Sequence, residues 1–122
     1  VHYYTPWSFC GMIEDESWGG PTWTWRHLLD YFQLNDLFDK MAAFCEDTGL
    51  PAVIGEFGAA PEKEAESRVK WLEAVMEASL TRNMVPLLWD TGSEIFRKKP
   101  GEFSEVFDTV LQNLGDKELI TE

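Results

Sequence analysis

The chain has 122 residues, 44% of them hydrophobic and 26% charged, which fits one domain (1–122) with a packed core and argues against disorder. Twenty-two acidic residues against ten basic ones leave a net charge of −12. That charge repels nucleic acid and anionic membrane surfaces and leaves neutral substrates open. Cys10 and Cys45 lack metal-ligand spacing, so a disulfide between them is possible but not implied. No metal or cofactor is indicated. No apolar run approaches transmembrane length and no leader pattern is present. The chain opens on Val1 without an initiating Met, as a processed product or a fragment would.

Val1–Tyr4 reads as a short strand, with His2 and Tyr4 on one face and Val1 and Tyr3 on the other. Thr5–Trp25 follows as a long loop with four of the six tryptophans, Trp7, Trp18, Trp23 and Trp25. Long loops in compact domains are usually functional. These rings either fold over a small core of their own or offer faces to a ligand such as a sugar.

Leu34–Asp47 has helical spacing, with Leu34, Leu37, Phe38, Met41, Phe44 and Cys45 on one stripe. Whether His27–Gln33 joins that helix is open. Gly49 and Pro51 stop it. Pro51–Phe57 is an apolar run fit for a buried parallel strand. It ends on Glu56, set between Gly55 and Gly58. Ala60–Lys63 is a loop, and a helix is expected over Glu64–Arg82, with Ala65, Val69, Leu72, Val75, Met76 and Leu80 inward. Val85–Asp90 is a third strand. Thr91–Gly101 is a loop with a solvated basic run, Arg97–Lys99, and the last helix spans Glu102–Leu114 with Gly115 ending it. The tail from Asp116 is expected to fray.

The order β-α-β-α-β-α implies right-handed crossovers and parallel strands, an α/β fold. Alternation along the middle strand puts Glu56 on one face with Ala52 and Ile54. His2 and Tyr4, Glu56, and Trp89 then gather at the C-terminal ends of three parallel strands, where such folds place their sites. A tyrosine hydroxyl beside a carboxylate keeps it ionised and oriented. A carboxylate nucleophile with an indole beside it suits chemistry on a sugar.

The stretches HYYTPW, PAVIGEFGA and LLWDTG, in this order and spacing, resemble the last three βα units of glycoside hydrolase family 5. The resemblance implies part of a (β/α)8 barrel, three parallel βα units forming an open arc. It implies a secreted, retaining β-glucanase acting on β-glucan or cello-oligosaccharide without a cofactor. By the same resemblance Glu56 is the nucleophile, and His2 and Tyr4 are the family's His-x-Tyr pair. Trp89 floors the sugar subsite and Trp7 lies in the cleft. The family's general acid/base, on an Asn-Glu pair of the fourth strand, has no counterpart here. Retention needs two carboxyl groups about 5–5.5 Å apart. The candidates within the chain, Glu14-Asp15-Glu16, Asp90 and Glu94, read better as solvated loop charges. A binding module that grips β-glucan without cutting it, or a purely structural partial barrel, are the alternatives. The inner face of the arc, lined by Ala52, Ile54, Val85 and Leu87, and the two open edges are expected to drive self-association or docking with a separate first half.

Overall fold

A computed structural model describes residues 1–12, 21–25, 28–92 and 94–120. Three parallel strands form one open sheet in the order β1 (His2–Tyr3), β2 (Val53–Phe57), β3 (Val85–Leu88). The expected α/β arc is therefore present, without a closed barrel. Register pairs His2 with Glu56 and Tyr3 with Phe57 across β1 and β2. Across β2 and β3, Val53 faces Val85, Ile54 faces Pro86 and Phe57 faces Leu88.

That last pairing contains a bulge, because Ile54 to Phe57 is one residue longer than Pro86 to Leu88. An extra residue reverses the side-chain phase of a strand. Ile54 and Phe57 therefore both pack, fully buried, in the core. The expected grouping of Ile54 and Ala52 with Glu56 is corrected. Val53, not Ile54, stands exposed beside Val85 and Leu87, and Ala52 is half-buried against the core.

The helices are α1 (Trp7–Cys10), α2 (Leu28–Thr48), α3 (Ala65–Leu80) and α4 (Glu105–Asp116). Helix α1 is a single turn inside the stretch expected to be loop, and it buries Phe9 and Cys10. Trp25 is also buried, whereas Trp23 is half-exposed. Helix α2 starts at Leu28, six residues before the predicted start. It ends as expected: Gly49 adopts φ +70°, the left-handed conformation that glycine takes without a Cβ penalty, and its N–H reaches the Cys45 carbonyl. Phe44, expected in the core stripe, is exposed.

Helix α3 is flanked by α2 and α4, so it is buried nearly all round, and Ala65 at its exposed start is not a core residue. Trp71 is its centre. The indole is fully buried, with the rings of Tyr3, Phe9 and Phe57 at 6.0, 6.5 and 6.2 Å. Its Nε1–H donates to the Thr5 carbonyl at 3.0 Å, which fixes the chain where it leaves β1. Arg82 ties the end of α3 to α2 through Asp39 and Asn35.

The expected loop after β3 instead holds an antiparallel ribbon, β4 (Phe96–Arg97) with β5 (Glu102–Phe103). Helix α4 consequently begins three residues later than predicted, at Glu105. Ser104 caps it by accepting a hydrogen bond from the Phe107 N–H. The helix continues through Gly115 to Asp116. Cys10 and Cys45 are free thiols.

Candidate active site

The site follows from the pleat and the bulge. Tyr3 turns inward to Phe38 and Trp71. Its neighbours His2 and Tyr4 are thereby sent to the opposite side. The bulge in β2 turns Glu56 to that side as well. The His2–Glu56 register then places the imidazole directly over the carboxylate.

The Tyr4 hydroxyl donates to Glu56 Oε2 at 3.3 Å. His2 Nδ1 lies 3.2 Å from the same oxygen. Among the described residues no partner falls on Oε1. The Glu56 side chain is 31% exposed and that of His2 60%, so the carboxylate is partly shielded while its approach stays open. Tyr4 is pushed up to about 12, chiefly by burial and then by the charge and hydrogen bond of Glu56. It therefore keeps its proton at neutral pH and acts as a donor.

A cleft of about 470 Å³ opens beside this pair, lined by Tyr4, Trp7, Glu56, Trp89 and Glu94 among others. Trp89 follows β3 directly, its N–H donating to the Phe57 carbonyl at 2.9 Å, and it is 53% exposed. Trp7 is 36% exposed and stands edge-on to Tyr4, ring centres 5.9 Å apart. All five residues singled out from the sequence thus lie at one end of the sheet. Tyr4, Trp7, Glu56 and Trp89 share the cleft wall, and His2 joins them through Glu56.

The candidate second carboxylates divide. Glu14-Asp15-Glu16 lies outside the described residues. Asp90 is not a solvated charge. Its Oδ1 accepts from the N–H groups of Gly92 and Glu94 at 2.8 and 3.2 Å, and Oδ2 from that of Phe96 at 2.8 Å. Burial works to raise its pKa, but the Phe96 and Gly92 donors outweigh it and hold the carboxyl well below the usual carboxylate range. Glu94 accepts from the N–H and hydroxyl of Thr91 at 3.1 and 2.6 Å. Both acids are engaged with their own loop. Among the described residues no group of three or more His, Cys, Asp or Glu converges to hold a metal ion.

Two cations escaped the sequence reading. Lys63 is 3% exposed and Arg68 7%. Arg68 lines the cleft, and its Nε is buried without a hydrogen-bond partner. Burial pulls its pKa down, against the raising effect of Glu62 and Glu94. Basic residues near helix starts read as solvent-facing, so nothing in the pattern marked them.

Three parallel βα units thus form an open arc with a carboxylate and two indoles at one end. Residues 1–94 match the model of cellulase (glycosyl hydrolase family 5). The chain belongs to glycosyl hydrolase family 5. Endoglucanase H of Acetivibrio thermocellus is 30% identical over 91 residues, 75% of this chain and 9% of that protein. A hyperthermophilic endo-β-1,4-glucanase in complex with substrate superposes with a TM-score of 0.80 at 23% identity, over 93% of this chain and 38% of that one. ZgEngAGH5_4 in complex with a cellotriose superposes with a TM-score of 0.73 at 25% identity, over 90% of this chain and 32% of that one. The chain thus spans well under half the length of these relatives.

Proposed function

We propose that this chain is the nucleophile-bearing part of a retaining, β-glucan-directed endoglucanase. The observation that carries the reading is Glu56, which lines the cleft and is held on Oε2 by Tyr4 and His2. Oε1 attacks the anomeric carbon as the bond to the leaving oxygen breaks, giving a glycosyl ester. The leaving oxygen takes a proton from a carboxylic acid outside the described residues. That group, now a base, takes a proton from water as the water oxygen bonds to the anomeric carbon and the ester bond to Glu56 breaks, which frees the sugar with retained configuration. Tyr4 donates to the oxygen that does not attack, which orients the carboxylate and keeps it ionised. His2 braces the same oxygen. Trp89 offers its exposed face to the sugar ring, with Trp7 as a second wall. The substrate is β-glucan or a cello-oligosaccharide, the ligand class of the cellotriose-bound relative. The setting is extracellular, where such a polymer is met.

Val53, Val85 and Leu87 are 42%, 53% and 48% exposed on the inner face of the arc. Leaving apolar surface wet costs about 25 cal/mol per Å². This face and the strand edges therefore associate with another copy or with the complementary part of a barrel, and the second carboxylate comes from there. A chain that stays monomeric by light scattering at micromolar concentration contradicts this association.

The test of function is reducing-sugar release from a soluble β-1,4-glucan across a protein concentration series, alone and with the complementary barrel half. Glu56→Gln retaining full activity overturns the assignment. The second reading, glucan binding without hydrolysis, is favoured by the two exposed indoles in the cleft wall. Cellotriose binding lost in Trp89→Ala, with no sugar release under any condition, selects it.

A further inference from the structure

Trp7 reaches the cleft from a one-turn helix, and a single turn of four residues does not hold itself in place. Its surroundings do. The chain returns to it at Thr22, whose N–H donates to the Ser8 carbonyl at 2.8 Å and whose hydroxyl donates to Ser8 Oγ at 3.2 Å. The loop after β2 grips it from the other side, the Ala60 N–H donating to the Cys10 carbonyl at 2.9 Å. Glu64 N–H reaches the Trp23 carbonyl at 3.0 Å.

Lys63 stands where these three segments meet. Its ammonium donates to the carbonyls of Ser8 and Thr22, both at 3.0 Å, and lies 5.5 Å from the centre of the Trp23 ring. A lysine this buried is rare unless its charge is answered. Here it is answered by two backbone oxygens, one from Ser8 in the turn that carries Trp7 and one from Thr22 in the segment that returns to it. Gly11 closes the same unit. A Cβ there would sit 2.7 Å from Trp7 Cε2 and 2.9 Å from Nε1, so only glycine lets the indole lie down on the backbone.

We propose that Lys63 is a positioning residue of the cleft: it clamps the Ser8 and Thr22 carbonyls so that Trp7 stands against Tyr4 and walls the sugar site. It touches neither sugar nor Glu56 and acts through Trp7. The sugar as ligand rests on the proposed function; the clamp does not.

Two readouts test it on the full chain. In protein labelled with 5-fluorotryptophan, with resonances assigned by single Trp→Phe variants, Lys63→Met shifts or broadens the Trp7 fluorine signal and leaves that of Trp71 in place. Lys63→Arg, which keeps charge and donors, restores it at least in part. Cellotriose titrated calorimetrically loses about tenfold affinity in Lys63→Met. The double variant Lys63→Met/Trp7→Ala binds no more weakly than Trp7→Ala alone, because one residue acts through the other. An unmoved Trp7 signal, or losses that add, overturns the proposal. If cellotriose binds neither the parent chain nor the chain completed by its barrel complement, the glucan reading fails while the fluorine signals still decide the clamp. If Lys63→Met does not fold, Lys63→Gln, a shorter uncharged donor, is read in the same two ways.

Discussion

The same three strands present two faces of opposite character. Toward the helices, Tyr3, Ile54, Phe57 and Trp71 are buried to 5% exposure or less, and their polar atoms are few and placed, as with the Trp71 indole N–H on Thr5. Away from the helices, Val53, Val85 and Leu87 stand half-exposed, and at the end of this face Trp89 lines the cleft and His2 meets Glu56. The first face is where the free energy of folding is collected. The second carries the candidate site, with its apolar residues about half exposed. The bulge in β2 is the hinge of that division, since it sends Ile54 inward while keeping Glu56 out.

The sharpest way to break this division is to alter one residue on each face. Glu56→Gln, in the chain completed by its barrel complement, lowers glucan hydrolysis by at least about 10³-fold, as expected when a nucleophile is lost. Its urea-unfolding midpoint stays near that of the parent, because a half-exposed carboxylate carries little packing. Trp71→Ala does the reverse. Losing a fully buried indole costs about 3–5 kcal/mol, enough to unfold much of the population of a marginal domain. Circular dichroism with urea titration reads both. A large stability loss in Glu56→Gln, or a small one in Trp71→Ala, means that the two faces do not divide as described.

The sequence was most legible where one pattern dominated. The apolar run ending in Glu56, the Gly49 stop and the inward Leu72, Val75 and Met76 of α3 required no tertiary knowledge. The residues that gather at the cleft were legible through three strand-end stretches that resemble one family. The bulge was not, because a strict period of two assigns Ile54 to the side of Glu56, and one extra residue relative to β3 exists only once β2 and β3 are paired. Trp71 was missed because a helix covered on several sides has no single stripe. The α1 turn and the β4–β5 ribbon are too short to impose a period. Lys63 was passed over because its partners are backbone carbonyls far away in sequence.

A smaller effect sharpens the cleft side. Tyr4 is pushed up to about 12 from an ordinary value near 10, so the folded chain holds that proton more tightly than the unfolded chain. Stability from this source is fully present below pH 10 and is lost as pH rises toward 12. Tyr4→Phe removes that part of the alkaline loss, seen as a shallower fall in urea midpoint between pH 10 and pH 12 than in the parent. Equal slopes in the two proteins mean that the folded chain does not shelter the Tyr4 proton as described.

The smallest predicted change is also the most direct probe of the open face. Leu87→Ser on the fully monomeric chain at high dilution shifts stability by no more than about 0.5 kcal/mol, as at other surface positions, since the leucine is 48% exposed there. In an associated state the same substitution removes a buried apolar contact, which costs about 1.5–3 kcal/mol for a fully covered leucine. The loss should therefore grow with protein concentration, or with addition of the barrel complement, and light scattering should show the weakened association directly. A loss independent of concentration would mean that Leu87 already packs within the single chain. The inner face would then belong to the core, and the contrast between the two faces would shrink to the Glu56 cleft alone.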